Sequence, residues 1–250
     1  MPAAMSSSKS ITVSIVSHGQ QALVLPLLEQ LDRLCAQSVA KVVLTMNLPE
    51  HDLLVDRAFC IPIERIANER PRGFGANHNA AFERCHTDWF LVLNPDIRLD
   101  MDVLAALLAL AHADSGMLAP RIMEPGKALP EPHRAMLTPS EILQRNRPGY
   151  LAPSRPAWVP GMFMLFRALA FTQIRGFDAR YFMYGEDFDI CARLQLAGWQ
   201  MHVVEHLRVR HEAQRASRRQ LRHLSWHFRS LIKVWCSSAF WRYRQLRARA

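Results

Sequence analysis

The first half of the chain alternates short apolar runs with longer segments of helical spacing. Four apolar or β-branched runs predict strands, at residues 11–17, 41–46, 63–67 and 89–93. Segments of helical spacing lie at residues 20–36 and 75–84. Buried strands separated by helices are typical of parallel sheets that are covered on both faces. The pattern therefore predicts an α/β fold around a mostly parallel sheet, with ligands bound at the carboxyl ends of its strands.

The second half of the chain is less regular. Residues 124–160 are rich in proline and lack periodicity, which predicts a long irregular loop of the kind that often carries function. Beyond this loop, the pattern predicts a strand at 158–166, a helix at 188–197 and a strand at 201–209. Gly198 is suited to end that helix, because glycine readily adopts the left-handed conformation found there.

The positive charge is concentrated at the C-terminal end. The net charge of the chain is +9, and residues 213–250 carry ten Arg or Lys and no acidic residue. The rest of the chain is therefore close to neutral. These patterns predict a flexible start at residues 1–10, one domain at 11–212 and a basic tail at 213–250.

The tail has the spacing of an amphipathic helix, with apolar positions at Leu221, Leu224, Phe228, Leu231 and Trp235. An arginine- and tryptophan-rich helix of this kind can lie on an anionic membrane surface. The alternative is a helix that packs on the domain or on a partner and keeps its arginines in solvent. No nucleic-acid-binding motif accompanies the charge, so nucleic acid is not an expected partner.

No apolar run in the sequence predicts a membrane-spanning helix. The longest, residues 103–111, is far shorter than the roughly 20 residues that a span requires, and the first ten residues do not resemble a signal peptide. The five cysteines form no Cys-x-x-Cys pair. Reduced, mostly buried thiols in a cytoplasmic protein are therefore expected, rather than a zinc site.

Asn94-Pro95-Asp96 directly follows the predicted strand at 89–93. A carboxylate and an amide oxygen at the edge of a sheet suit Mg²⁺ or Mn²⁺, with substrate phosphates completing the coordination shell. The same three residue types are common in ordinary turns. Taken alone, this segment leaves both interpretations open.

The segment from residue 177 to 189 crowds acidic and aromatic side chains together. Glu186, Asp187 and Asp189 lie at a helix start, where the helix dipole favours negative charge and Asp189 can pair with Arg193. Capping does not explain the four neighbouring aromatic residues. Apolar neighbours would raise the pKa of a carboxyl group and suit it to act as a general base.

Two further features are weaker signals. His211 follows the last predicted strand, and although a lone histidine is usually structural, its imidazole could complete a metal shell with Asp96. The segment of residues 72–79 has two glycines just before a helix, followed by two asparagines and a histidine. Glycines there allow backbone N–H groups to approach an anion, so a sugar or phosphate site is favoured over a linker.

In this order, the segments resemble a family 2 glycosyltransferase of the GT-A fold, in particular the rhamnosyltransferase-like branch that builds bacterial surface polysaccharides. The resemblance covers about residues 11–211. It implies transfer of a sugar, with inversion, from a nucleotide-diphosphate donor to a hydroxyl group of a polysaccharide or lipid-linked acceptor. Its strongest motifs are Trp158-x-x-Gly161 to Arg167, Gly176-Phe177-Asp178, Tyr184-Gly185-Glu186-Asp187-Phe188-Asp189 with Arg193, Gly198-Trp199 and His211.

The resemblance also implies roles for individual residues. Asp187 matches the catalytic base, and Asp96 and His211 match the ligands of a divalent Mg²⁺ or Mn²⁺ ion. Further substrate-binding positions are implied at Ser17, His18, Asn47, Arg72, Gly73, Phe74, Gly75, Asn79 and Asn94, at Trp158 and Gly161 on the acceptor side, and at Glu186 beside the base.

Departures from the family pattern concern the donor. Many relatives have Asp-Asn where this chain has Met46-Asn47, Pro71 replaces a common asparagine, and Gly19 follows Ser17-His18. The branch implies dTDP-rhamnose as the donor, and the tail implies a peripheral position on the inner face of the cell membrane. The alternative is a non-catalytic protein on the same fold that binds sugar nucleotides or carbohydrates.

Overall fold

The structure, a computed structural model, describes residues 9–145, 147–212 and 221–249. Most of the predicted flexible start and residues 213–220 of the predicted tail lie outside the described residues. The strands are β1 (Ile11–Ser17), β2 (Val39–Met46), β3 (Ile63–Ala67), β4 (Trp89–Leu93), β5 (Ile97–Arg98), β6 (Ser115–Met123), β7 (Phe163–Arg167) and β8 (Gln200–His211). The helices are α1 (Gln21–Leu34), α2 (Phe74–Phe82), α3 (Val103–Leu108), α4 (Pro139–Gln144), α5 (Ala168–Gln173), α6 (Glu186–Leu196), α7 (Leu221–Cys236) and α8 (Ser238–Arg249).

The strands form one sheet in the order β3-β2-β1-β4-β7-β6-β8-β5. Strands β1 to β4 run parallel to one another, and β8 runs parallel to β6. Strand β7 enters between β4 and β6 and is antiparallel to both, and β5 is antiparallel to β8. The α/β fold is confirmed, with a parallel half of the sheet joined to a mixed half.

Alternation along the central strand β4 divides the hydrophobic core between the two faces of the sheet. Trp89, Leu91 and Leu93 pack with α1 and α3, whereas Phe90 and Val92 pack with α2, α5 and α6. Successive residues of a strand point to opposite faces. A continuously apolar strand is therefore what a sheet with helices on both sides requires.

The later part of the chain differs from the predictions in several places. Strand β6 was not predicted, because Gly116 and Pro120 interrupt its apolar pattern. Strand β7 begins at Phe163 rather than at residue 158, since Pro160 and Gly161 precede it in an irregular segment. The loop at 124–160 also contains the short helix α4, whose N-terminus is capped by Thr138.

All five cysteines are free, but only Cys35 and Cys191 are buried. Cys60 and Cys236 are exposed, and Cys85 is half-buried. The expectation of mostly buried thiols was therefore wrong. The exposed pair lies outside the apolar patterns that place side chains in the core, in the loop before β3 and at the end of α7.

Helices α7 and α8 pack on the domain. Val234, Phe240 and Tyr243 are buried in the same hydrophobic cluster as Phe188 of α6. Burial of each aromatic side chain contributes roughly 2–3 kcal/mol to the free energy of unfolding. Within the described parts of the chain, no helix has the length and apolar character to span a membrane.

Candidate active site

The turn after β4 places Asp96 beside His211. Ile97, which follows Asp96, pairs with His211 because β5 and β8 are antiparallel neighbours. In this register the Asp96 Oδ2 atom lies 3.0 Å from His211 Nε2. The two predicted metal ligands are therefore in direct contact.

A third side chain, which sequence reasoning missed, completes this cluster. Glu124 follows β6, whose Met123 pairs with Arg210 of β8, and its Oε1 atom lies 2.7 Å from His211 Nδ1. Burial by itself lowers the pKa of His211, but the hydrogen bonds and charges of Asp96 and Glu124 outweigh burial and raise it to about 8. The imidazole is thus held between two carboxylates.

The chemistry of this cluster fits a divalent cation. The Asp96 Oδ1 atom is buried and has no hydrogen-bond partner among the described residues. A cation between Asp96 and His211 would replace the proton at Nε2, so that the imidazole would keep its Nδ1–H on Glu124 and offer the Nε2 lone pair to the metal. In the described ranges no group of three or more His, Cys, Asp or Glu is arranged to hold a metal ion. Phosphate oxygens of a substrate would therefore have to supply further ligands.

Asp187 lies at the start of α6, directly after a left-handed turn. Tyr184 and Gly185 have φ values of 72° and 85°, and this turn directs the chain into the helix. The Asp187 Oδ1 atom accepts a hydrogen bond of 2.8 Å from the Phe188 N–H, and the carboxylate also accepts one from the Gly161 N–H. The two bonds aim the carboxylate at the segment before β7.

Glu186 and Asp187 are adjacent carboxyl groups in an apolar setting. Burial raises the pKa of both groups, and the charge of Asp187 further raises that of Glu186. Hydrogen bonds from the backbone and the charge of Arg134 oppose this rise for Asp187. Asp187 is therefore the member of the pair that ionises first and can accept a proton.

The cluster of Asp96, Glu124 and His211 and the candidate base are fixed to neighbouring residues before β7. The Asn94 N–H, in the turn that carries Asp96, donates a 2.9 Å hydrogen bond to the Met162 carbonyl oxygen. The adjacent Gly161 bonds to Asp187. Three side chains that are distant in sequence are thereby brought to one edge of the sheet.

Close packing explains the glycines of the predicted donor segment. A Cβ atom on Gly73 would lie 2.7 Å from the Phe182 carbonyl oxygen, and one on Gly75 would lie 2.5 Å from the Phe177 Cβ atom. Real Cβ atoms do not approach other atoms this closely. The two glycines therefore let the start of α2 pack directly on the loop that leads to Asp187.

Phe74 and Asn79 connect the same helix to its neighbours. A Cβ atom on Gly161 would lie 3.1 Å from the end of the Phe74 ring and 3.9 Å from Asp187 Cβ. The Asn79 side chain donates to the Phe177 carbonyl oxygen at 2.8 Å and accepts from the Phe177 N–H at 2.9 Å. Asn79 is thus engaged within the protein, and Phe74 lies next to the candidate base.

Asn47 is the centre of a hydrogen-bond network that holds the loop before α2. Its Nδ2 atom lies 3.1 Å from His18 Nδ1 and donates to the Arg72 carbonyl oxygen at 3.0 Å. Its Oδ1 atom accepts from the Arg72 N–H and from the Asn68 side chain, both at 2.8 Å. Asn68 also donates to Asn77 at 2.7 Å. Sequence reasoning assigned no role to Asn68, whose importance lies in contacts between distant segments.

The remaining predicted positions differ in their accessibility to a ligand. Ser17 is buried and accepts a 3.1 Å hydrogen bond from the Gln20 N–H. Trp158 is 8% exposed and donates to the Ala135 carbonyl oxygen at 2.8 Å. His18 and Arg72 are exposed. Ser17 and Trp158 therefore support the walls of the site, and direct contacts of all four with substrate remain predictions.

A known protein family matches most of the sequence. The sequence profile described as "Glycosyltransferase like family 2" matches residues 11–227, most of the chain. The chain belongs to this glycosyltransferase family. The expected GT-A-type fold and the family resemblance are thereby confirmed.

Two curated relatives of this family 2 member are rhamnosyltransferases. The N-acetylglucosaminyl-diphospho-decaprenol L-rhamnosyltransferase of Mycobacterium tuberculosis is 36% identical over 165 residues, which cover 57% of this chain and 53% of that protein. Rhamnosyltransferase WbbL of Escherichia coli K12 is 27% identical over 247 residues, covering 89% of this chain and 91% of WbbL. The chain therefore spans about half of the mycobacterial relative and most of WbbL.

Solved structures share the fold of this family 2 chain at low sequence identity. The mannosyltransferase PcManGT from Pyrobaculum calidifontis, in complex with GDP-Man and Mn²⁺, has a TM-score of 0.64 at 14% identity, covering 90% of this chain and 64% of that one. GalNAc-T7 with UDP, GalNAc and Mn²⁺ has a TM-score of 0.64 at 18% identity, with 92% and 48% covered. At these identities the similarity shows the fold alone.

Proposed function

We propose that this chain transfers rhamnose from dTDP-rhamnose to a hydroxyl group of a polysaccharide or lipid-linked acceptor. The observation that carries the proposal is the convergence of Asp96, His211 and Asp187 on the residues before β7. A diphosphate leaving group and an attacking hydroxyl need a cation site and a base side by side. The names of both relatives support rhamnose as the sugar, and the Mn²⁺ in PcManGT and GalNAc-T7 supports a divalent metal.

The proposed reaction is a single displacement with inversion. Asp187 accepts the proton of the acceptor hydroxyl group while the hydroxyl oxygen forms a bond to the anomeric carbon. The bond from this carbon to the diphosphate oxygen breaks, and the nucleoside diphosphate departs with the electron pair. Asp96 and His211 would hold Mg²⁺ or Mn²⁺, which when bound neutralises the charge that develops on the diphosphate.

The exposed face of the C-terminal helices supports a lipid-linked acceptor and binding to an anionic membrane surface. Phe228 and Ile232 lie one turn apart on α7 and are 65% and 43% exposed. Arg229 and Lys233, the next residue after each, are also exposed. Apolar and cationic side chains side by side suit the surface of an anionic bilayer. The mycobacterial relative is named for a lipid-linked sugar diphosphate.

The test is transfer from dTDP-rhamnose to an N-acetylglucosaminyl diphosphate lipid, with and without Mn²⁺. We expect metal-dependent transfer by the wild type and a loss of about 10²-fold or more in kcat for Asp187→Asn, the usual size of a general-base effect. Donor affinity, measured by calorimetry, should stay unchanged in this variant. Asp56→Asn makes the same chemical change at an exposed position and should keep the wild-type rate.

If Asp187→Asn transferred rhamnose at nearly the wild-type rate, Asp187 would be excluded as the base. Tight, metal-dependent binding of dTDP-rhamnose by a wild-type protein that neither transfers nor hydrolyses it would instead indicate a non-catalytic sugar-nucleotide binder.

A further inference from the structure

The backbone of the turn that carries Asp96 is bonded by a buried arginine, Arg98 of β5. The Arg98 Nη1 atom donates hydrogen bonds of 2.8 Å to the carbonyl oxygens of Pro95 and Ile97. These two residues precede and follow Asp96 in the chain. Arg98 therefore fixes the backbone on both sides of the candidate metal ligand.

Glu212 connects Arg98 to the end of β8. Its Oε2 atom lies 2.9 Å from the Arg98 Nε atom, and its N–H donates a 2.8 Å hydrogen bond to the Asp96 carbonyl oxygen. Glu212 directly follows His211, which pairs with Ile97 in the register of β5 and β8. The segments that carry Asp96 and His211 are thus joined by strand pairing and, in addition, by the Arg98 side chain.

Stability alone does not account for a buried arginine at this place. The Arg98 side chain is 5% exposed, whereas that of Glu212 is 52% exposed. Burial of a guanidinium group is costly unless polar partners replace its water, and apolar replacements of buried ion pairs are often neutral or stabilising. What an apolar side chain could not supply is the pair of hydrogen bonds to the carbonyl oxygens around Asp96.

The position of Asp96 decides whether one cation can bind both this carboxylate and His211. Mg²⁺ bonds its oxygen ligands at about 2.0–2.1 Å and requires nearly ideal geometry. Glu124 orients His211 through a hydrogen bond to Nδ1. Arg98 has the corresponding place for Asp96, except that it acts on the backbone rather than on the carboxylate.

We infer that Arg98 is a positioning residue, which holds Asp96 where it can bind a divalent cation together with His211. The inference rests on the proposed function, because the proposed function supplies the cation and the diphosphate that completes its coordination. Arg98 acts through Asp96, so its loss should weaken metal binding and leave nucleotide binding without metal unchanged.

Calorimetric titration of Mn²⁺ in the presence of dTDP tests the inference. Arg98→Met removes the three bonds of the guanidinium group and keeps an apolar stem, while Glu212 stays in contact with solvent. We expect the Kd of Mn²⁺ to rise by about tenfold or more, the usual effect of removing a group that orients a metal ligand. The matched control is Arg210→Met. Arg210 lies opposite Arg98 in the strand register and pairs with Asp100 at an exposed position, so its loss should change the Kd by less than about twofold.

Three further measurements separate positioning from folding. Arg98→Lys keeps the charge but not the fork of donors that reaches carbonyl and carboxylate together, so it should recover part of the lost affinity. Glu212→Gln keeps the N–H bond to Asp96 and should give a smaller rise in the Kd of Mn²⁺. Binding of dTDP in EDTA should equal that of the wild type in every variant, because the predicted nucleotide contacts lie on other strands.

The possible outcomes distinguish this inference from the proposed function. A wild-type Kd of Mn²⁺ in Arg98→Met, a rise of the same size in Arg210→Met, or an equal loss of dTDP binding in EDTA would overturn the inference and leave the proposed function standing. If a thermal melt shows that Arg98→Met does not fold, Arg98→Lys decides, and an unchanged Kd in that variant overturns the inference. A wild-type protein that binds no Mn²⁺ in the presence of dTDP would overturn both the inference and the metal site of the proposed function.

Discussion

Single residues of the site differ in whether their polar atoms are already bonded. Asn47 and Asn79 use both ends of their amide groups within the protein. Asp96 Oδ1 and Glu186 Oε2 are buried without a partner among the described residues. Leaving a buried polar atom unpaired costs about 1–3 kcal/mol, so such atoms are where a ligand has most to contribute. The two amides therefore stabilise the protein around the site, whereas each of the two carboxylates has an oxygen left to bond a ligand.

At this scale we predict that Glu124→Gln weakens metal binding. Glu124 orients His211 through its bond to Nδ1, and loss of such a partner typically costs 10–100-fold in metal affinity. The apparent Kd of Mn²⁺, titrated calorimetrically in the presence of dTDP, should rise by about tenfold or more. Glu83→Gln, at an exposed position, should leave it unchanged. An unaltered Kd in Glu124→Gln would show that His211 needs no such support.

Residue types marked Asp96, His211 and the acids at 186–189 as candidates, and the family resemblance then singled out Asp187 as the base. Spacing along the sequence does not show which of these residues are in contact. The contact between Asp96 and His211 depends on the register that pairs Ile97 with His211. Glu124 and Asn68 could not be predicted for a related reason. Each is a single polar residue in a loop, and its partner comes from a segment far away in the sequence.

Among the strands, prediction succeeded where no glycine or proline interrupts the β-branched and apolar residues. Strands β1, β3 and β4 were predicted with their observed limits. Strand β6 carries Gly116 and Pro120 and was not predicted. Gly116 is explained only by the fold, since a Cβ atom there would lie 2.5 Å from the Trp199 Cβ atom.

For helix α2 we predict that Gly75→Ala destabilises the protein by about 1–3 kcal/mol, the usual cost of overpacking. The new Cβ atom would meet the Phe177 Cβ atom at 2.5 Å, and atoms this close to the backbone cannot rotate away. Gly161→Ala is the comparison, because its Cβ would meet the end of the Phe74 ring at 3.1 Å, and a ring can turn. Urea unfolding should show a larger decrease in the free energy of unfolding for Gly75→Ala than for Gly161→Ala. An equal or smaller decrease would contradict the packing argument.

For the whole molecule, the exposed face of α7 is the feature that the enzyme core does not explain. Leu231 and Trp235 pack against the hydrophobic cluster of the domain, while Phe228 is exposed. The apolar stripe read from the sequence therefore contains both packed and exposed residues. No pattern in a single segment could separate them, because the separation depends on where α6 lies.

We predict that Phe228→Ser with Ile232→Ser lowers binding to vesicles of phosphatidylglycerol and phosphatidylcholine by about tenfold or more, since two apolar side chains no longer enter the lipid surface. Sedimentation of protein with the vesicles measures the bound fraction, and wild-type binding should weaken at high salt. Leu129→Ser removes an exposed apolar side chain outside α7, 77% accessible in the loop after β6, and should leave vesicle binding unchanged. Equal sedimentation of the double variant and the wild type would exclude this face as the contact.

The packing of α7 behind the turn that precedes Asp187 has a practical consequence. A Cβ atom on Gly185 would lie 3.0 Å from the Val234 side chain, so this valine backs the left-handed turn that sets the direction of Asp187. Shortening the gene after β8 would leave that turn open to water and would uncover the apolar side of α6. The minimal functional unit of this enzyme therefore extends through α8, and any fusion partner attached at the carboxyl end must leave both helices seated.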